Sequence, residues 1–295
     1  MNRLTANSLL LLAAALWGSA FVAQSTAMED VGPFYFTGIR FLIAALVLAP
    51  FAWRERTARR NDRLTQGHLA RFGLIGAVFF LGIVIQQIGM MTTTVTNTAF
   101  LTSLYVVLVP VIGFALFRDI PHPVIWPAAF AALTGIWLLG GASLDTLNWG
   151  DGAVLVCAVF WALHVALLGH VGLTSGRPLA LAFSQFLIAG LAGVLCGLAT
   201  EEISFAQIQA AGFELFYTSV VSGCLAFTLQ AVAQRWTRAA DAAILLASEA
   251  LFGAMFGAIL LGERLGGLGL VGCALILLAI VSVQLVPLIR RPARA

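Results

Sequence analysis

Ten apolar runs, each about as long as a bilayer crossing, alternate along the chain with short polar breaks. They lie near 7–27, 34–53, 69–89, 97–117, 123–141, 150–171, 178–199, 213–234, 239–261 and 266–287. A crossing helix needs about 20 predominantly apolar residues, so the pattern predicts ten transmembrane helices. The longest polar break, Arg54 to Arg71, is too short to fold by itself, and one membrane domain over 1–295 is expected. The first run, with Arg3 before it, has the outline of a cleaved signal peptide. Its long apolar core and its counterpart later in the chain keep it as helix one.

Composition agrees with this reading, because 61% apolar residues, 10% charged residues and a mean hydropathy of +0.99 lie far outside the range of soluble domains. The net charge of +3 comes from arginine alone, since lysine is absent. With the N-terminus inside, Arg3, the six arginines from Arg54 to Arg71, Arg118, Arg177, Arg235, Arg238, Arg290, Arg291 and Arg294 all fall on the cytoplasmic side. Only Arg264 falls outside, and Arg40 lies within a run. This asymmetry predicts cytoplasmic termini and assigns the positive charge to headgroups rather than to nucleic acid. Cys157, Cys196, Cys224 and Cys273 sit in apolar runs without CxxC spacing, which implies buried thiols, with no disulfide, metal or cofactor.

The chain repeats itself. A shift of 144 or 145 residues lays "FLIAAL" (41–46) on "FLIAGL" (186–191), Trp17 on Trp161, Leu81 on Leu225, Gln86 on Gln230 and Ser103 on Ser248. Five runs match five. Because five is odd, the second copy must enter from the opposite face, so the expected architecture is two inverted five-helix repeats, 1–142 and 143–295. Transporters are built in this way, with a site at the bilayer centre.

Glu249 stands near that centre, roughly 18 Å from the end of its span at 1.5 Å per residue. An ionised carboxylate facing lipid there costs at least about 2.5 kcal/mol, so it must face protein or water. It is either a site for a proton or a substrate ammonium, or a neutral carboxyl tying two helices together. Arg40, about 10 Å below the surface by the same measure, either pairs with Glu249 or reaches up to the headgroups. Trp17 and Trp161 fall at mid-span, away from the interfaces where tryptophan collects, and either line a cavity or pack in a core. Gln86, Gln87, Asn97, Thr98, Ser103, His164, Ser184, Gln185, Gln230 and Ser248 add polar groups. Each alone is explained by a helix-to-helix hydrogen bond; together they suggest a water-filled vestibule. Gly253 and Gly257 form a GxxxG pair that lets backbones approach. Pro110 removes a hydrogen bond in span four, and a kink at its cytoplasmic end is expected there as a gate.

The strings "WGSAFVA" (17–23), "RFLIAAL" (40–46), "FWALHVA" (160–166) and "LGERL" (261–265) resemble EamA-type members of the drug/metabolite transporter superfamily, over essentially the whole chain. The resemblance is closest to bacterial amino-acid exporters of the YddG type. It implies a basket of ten helices in a bacterial inner membrane, exporting aromatic amino acids and related metabolites by alternating access. Two departures stand out: Glu249 is followed by Ala250 where the family often has proline, and the first-half counterpart of "LGERL" is "LFRDI" (116–120).

In the amino-acid reading, Trp17, Trp161 and Phe100 face the cargo's side chain while Glu249 and the amides hold its polar end. In the rival reading, proton-coupled efflux of lipophilic cations, Glu249 exchanges protons and the aromatic walls supply cation–π contact. "GLGLVG" (267–272) fits GxGxxG but follows no strand. An intramembrane enzyme lacks a paired nucleophile and base, and a receptor leaves the inverted duplication unexplained.

Overall fold

The structure, a computed structural model, describes residues 1–58, 64–93, 95–139, 148–261 and 266–289. The expectations for Arg59, Arg60, Arg63, Arg264, Arg290, Arg291 and Arg294, and most of "LGERL", lie outside the described residues. Within them every regular element is helical: α1 (Arg3–Ala27), α2 (Pro33–Ala58), α3 (Gln66–Gly89), α4 (Val95–Thr102), α5 (Tyr105–Phe117), α6 (Ile125–Leu139), α7 (Trp149–Ser175), α8 (Pro178–Thr200), α9 (Phe205–Ala210), α10 (Gly212–Phe216), a π-helical segment (Tyr217–Ala226), α11 (Phe227–Ala233), α12 (Ala239–Leu246), α13 (Glu249–Leu261) and α14 (Gly267–Ile289). Eight stretches are long and apolar enough to cross a bilayer. Two shorter apolar helices, Ile125–Leu138 and Gly267–Val283, fall on the fifth and tenth runs.

Two of the crossings are broken, and at equivalent places. Span four turns at Ser103–Leu104 between α4 and α5, and span nine at Ala247–Ser248 between α12 and α13, 144 residues later. The backbone tightens at each turn, Leu104 N bonding Leu101 O at 3.3 Å and Ser248 N bonding Leu245 O at 3.3 Å. Pro110, by contrast, lies inside α5, which continues through it. The break in span four lies nearly two turns before that proline, at Ser103–Leu104.

Helices α2 and α8 carry the "FLIA" strings and run against each other in opposite directions. The Glu201 carboxylate at the end of α8 accepts from Phe34 N and Tyr35 N, both at 2.8 Å, at the start of α2. Glu55 near the end of α2 accepts in turn from Leu179 N and Ala180 N, at 3.3 and 2.9 Å, at the start of α8. Each carboxylate satisfies amides left open in the first turn of the other helix. Between these caps the backbones touch: a Cβ on Gly193 would fall 2.6 Å from Gly38 N.

The same inversion relates the two ends of the bundle. At the end carrying Arg3, Arg54, Arg118 and Arg238, hereafter the arginine end, Thr237 Oγ1 donates to Asn7 Oδ1 at 2.9 Å. At the opposite end Thr93 Oγ1 donates to Asp151, and a shift of 144 carries Asn7 to Asp151 and Thr93 to Thr237. The arginine end adds charge, with Arg3 on Asp241 at 2.8 Å and Arg238 on Asp119. The flanks are apolar: Leu46, Phe130 and Phe213 are more than 70% exposed, as a lipid-facing surface requires. This arrangement fits two five-helix repeats set in opposite directions.

Candidate functional site

Between the halves lies a pocket enclosing about 530 Å³ of empty space, its mouth included. Helix α1 contributes Trp17, Phe21 and Gln24, α2 contributes Arg40 and Phe41, and α3 contributes Ile83 and Gln86. Thr102 and Tyr105 flank the break in span four, and Leu246 and Glu249 flank that in span nine. The second half adds Trp161, Val165, Thr218, Ser222, Gly223, Phe227 and Gln230. The two broken helices thus place their irregular turns beside the cavity, which is where non-helical backbone is tolerated at membrane depth.

The pocket has a positive end. Arg40 is only 2% exposed. Its Nη1 donates to Gln24 Oε1 at 2.8 Å and its Nη2 to Gln87 Oε1 at 3.3 Å. Gln87 Nε2 donates to the Gln24 carbonyl at 3.2 Å, which turns its own Oε1 toward the guanidinium. The rings of Phe36 and Phe41 lie under the cation, 4.7 and 4.9 Å from Arg40 Cζ, in cation–π range. Two neutral amides and two rings hold the charge without cancelling it, and among the described residues Arg40 Nε has no partner.

An acidic residue lines the same pocket. Glu249 is 5% exposed and opens α13, where the helix dipole favours a carboxylate. The hydroxyls of Ser103 and Tyr105 are the polar neighbours of its carboxyl. Among the described ion pairs none joins Arg40 to Glu249. The direct pair considered from the sequence is replaced by the glutamine cradle, and Arg40 does not reach the headgroups either, because that cradle holds it inside.

Aromatic rings wall the space between. Trp161 stacks on Phe227 with centroids 5.7 Å apart and planes 8° from parallel, and Trp17 meets the same ring at 4.5 Å. The indole of Trp17 donates to the Ser222 carbonyl at 3.2 Å. That acceptor is available because it belongs to the π-helical segment, whose wide turns set Thr218, Ser222 and Gly223 against the cavity. Such widenings recur at functional sites. Among the described residues the indole N–H of Trp161 has no partner, and neither has the amide of Gln230.

Six of the residues singled out in the sequence therefore share one pocket: Trp17, Arg40, Gln86, Trp161, Gln230 and Glu249. Ser103 stands beside Glu249 and Gln87 beside Arg40, and the rest lie elsewhere. Asn97 Nδ2 donates to Asp151 at 3.2 Å near the end opposite the arginines, and Phe100 packs on Trp137 at 5.8 Å. Ser248 Oγ turns back to Leu245 O at 2.6 Å, and His164 sits behind Trp161, on Gln185. Gly257 is buried in α13. Gly253 has room for a methyl group, its nearest neighbour 3.7 Å away. The glycine that the contact of α1 with α13 demands is Gly18, whose Cβ would fall 2.6 Å from Phe252 Cβ and 2.7 Å from Gly253 N. Gln24, Phe41, Tyr105 and Phe227 are pocket residues that the sequence reading passed over. Gln24 had a signal in its polar character near a helix end; the three rings looked like core.

Known proteins give this architecture a family. The sequence profile described as the EamA-like transporter family matches twice, over residues 4–141 and 148–284. An uncharacterized transporter of Archaeoglobus fulgidus is 33% identical over 290 residues, covering 97% of this chain and 87% of that one. The uncharacterized inner membrane transporter YicL of Salmonella typhimurium is 27% identical, covering 97% and 96%. An S-adenosylmethionine/S-adenosylhomocysteine transporter of Chlamydia trachomatis is 24% identical, covering 77% of this chain and 62% of that one. A solved crystal structure shares the fold with a TM-score of 0.78 at 16% identity, covering 97% and 99%. With both halves matched and the helices set around a central pocket, this chain is a multi-pass membrane protein belonging to the EamA-like transporter family.

Proposed function

We propose that the chain carries neutral amino acids with aromatic or large apolar side chains out of the cell, by alternating access between inverted halves 1–142 and 143–295. The termini and the arginine end face the cytoplasm of a bacterial inner membrane. One observation supports this reading above the rest: a buried guanidinium and a buried carboxylate face one aromatic-walled pocket without neutralising each other. Unpaired buried charges are costly, and a zwitterion answers both at once. Its carboxylate binds Arg40, its ammonium binds Glu249 with the Gln230 carbonyl oxygen beside it, and its side chain lies against Trp17, Trp161 and Phe227. A lone lipophilic cation suits the pocket less, because Arg40 repels it.

The Chlamydia relative favours a second cargo of the same type. S-Adenosylmethionine and its homocysteine product are also amino-acid zwitterions, carrying a flat base that an aromatic wall accepts. The deciding experiment is exchange in liposomes. Radiolabelled phenylalanine or tryptophan is expected to exchange, with Glu249→Gln and Trp161→Ala impairing it. Exchange of S-adenosylmethionine alone moves the assignment to that cargo, and exchange of quaternary cations but no amino acid overturns the zwitterion reading.

A further inference from the structure

Behind the aromatic wall lies a second set of buried polar groups, which meets the pocket only at Gln230. His164 and Gln185 are fully buried, and His164 Nε2 lies 3.0 Å from Gln185 Oε1. Neither lines the pocket. Among the described residues His164 Nδ1 and Gln185 Nε2 have no partner, and the same holds for both amide atoms of Gln230 and for Gln234 Oε1. Gln234 is fixed near them by its Nε2, which donates to Val165 O at 3.0 Å. Unused hydrogen-bonding capacity of this kind costs stability, and leucine or phenylalanine would fill the space without that cost. Native interiors rarely keep such groups without a reason.

The duplication supplies one. The shift of 145 lays Gln185 on Arg40, and that of 144 lays Gln230 on Gln86. Arg40 and Gln86 meet the pocket on the side away from the arginine end. Their inverted counterparts occupy the mirrored place, toward the arginine end. Between the two lie the packed rings of Phe79, Phe186, Phe227 and Trp161, with Phe79 5.3 Å from the His164 ring and 4.8 Å from that of Phe227. Alternating access rocks one inverted half against the other, and a polar set at the mirrored place is positioned to line a cavity open to the other face.

We infer that His164, Gln185 and Gln230 form a second substrate station, opened to the arginine end when the aromatic partition swings aside, which takes the polar end of the cargo through neutral hydrogen bonds. The identity of that cargo rests on the amino-acid reading above; the opening of the station does not. Gln230, present in both linings, is the hand-over point.

Cysteine accessibility tests the station without a substrate. In the full chain with its four cysteines replaced by alanine, Gln185→Cys and His164→Cys are each exposed to a membrane-impermeant methanethiosulfonate in sealed vesicles of either orientation. Exposed Arg54→Cys marks the arginine end. Both positions are expected to react from the arginine end at least about tenfold faster than from the other side, a ratio equivalent to a clear population difference. Gln230→Cys is expected to react from both. Inert thiols at 164 and 185 in a monodisperse protein, or reaction from the opposite face, overturns the station. Labelling from the arginine end in a protein that exchanges no amino acid leaves the station standing and overturns the cargo. If both cysteine variants aggregate, Gln185→Asn takes their place. It is expected to raise the half-saturating concentration of cargo added at the arginine end severalfold, with that at the opposite end unchanged, and equal shifts on both sides overturn the station.

Discussion

Arg40 and Gln185 stand immediately before the matching strings FLIAAL and FLIAGL, yet one carries a charge into an open pocket and the other ends in a neutral pair behind phenylalanines. Their surroundings explain the difference. Arg40 finds amide oxygens from Gln24 and Gln87, whose counterparts 144 residues on are Leu168 and Ala231. Duplication has kept a polar residue at 40 and 185 while the partners diverged, and only Arg40 has an amide cradle. An inverted repeat built this way presents strong binding to one face and weak binding to the next.

The largest effect is expected where that asymmetry is removed. Arg40→Gln makes the two halves alike, and Glu249→Gln removes the opposing charge. Each is expected to slow amino-acid exchange in liposomes by about 100-fold, since stripping one partner from a buried charged contact costs about 2–5 kcal/mol. Adding Gln185→Arg to Arg40→Gln is expected to restore nothing, because no glutamine pair waits at the second position.

Next come the contacts between halves, read by thermal unfolding in detergent. Gly18→Ala drives a methyl group into Phe252 and the Gly253 backbone, and is expected to destabilise by about 1–3 kcal/mol. Gly253→Ala, with room available, is expected to leave the melting temperature unchanged. A smaller loss, about 1 kcal/mol each, is expected for Glu55→Gln and Glu201→Gln, the typical worth of a helix cap. Unequal losses from this reciprocal pair would show that one end of the α2–α8 contact opens more readily than the other. The smallest effect belongs to Trp17→Phe, which keeps the wall but loses the bond to the Ser222 carbonyl, a change of about 0.5–1.5 kcal/mol in cargo binding by titration calorimetry.

Much of this was legible in the sequence, and for physical reasons. Long apolar runs declare themselves, and the shared strings revealed the duplication before any fold was known. Glu249, Arg40, Trp17, Trp161, Gln86 and Gln230 were found because such residues are expensive at membrane depth and so stand out. Phe41, Tyr105 and Phe227 did not stand out, since an aromatic wall and an aromatic core use the same residues. Asn97 and Ser248 misled for the opposite reason: their polar atoms satisfy a helix start and a broken turn, local needs that mimic a binding group. The GxxxG string in span nine drew attention from Gly18, because which of two facing helices must yield space depends on contact geometry and not on composition. Partnerless amides behind the wall carry no sequence signal beyond their repeat positions.

The account turns on both ends of one cargo being held at once, and binding of three related molecules to the purified protein measures this directly. Phenylalanine, 2-phenylethylamine and 3-phenylpropionate share a ring and differ in which charges they carry. Tryptophan fluorescence titration is expected to show phenylalanine binding at least about tenfold more tightly than either analogue, a gap of about 1.4 kcal/mol. Arg40→Gln should abolish its advantage over the amine and Glu249→Gln its advantage over the acid. Equal affinity for all three, or substitutions that weaken all three alike, would contradict a pocket that reads a zwitterion.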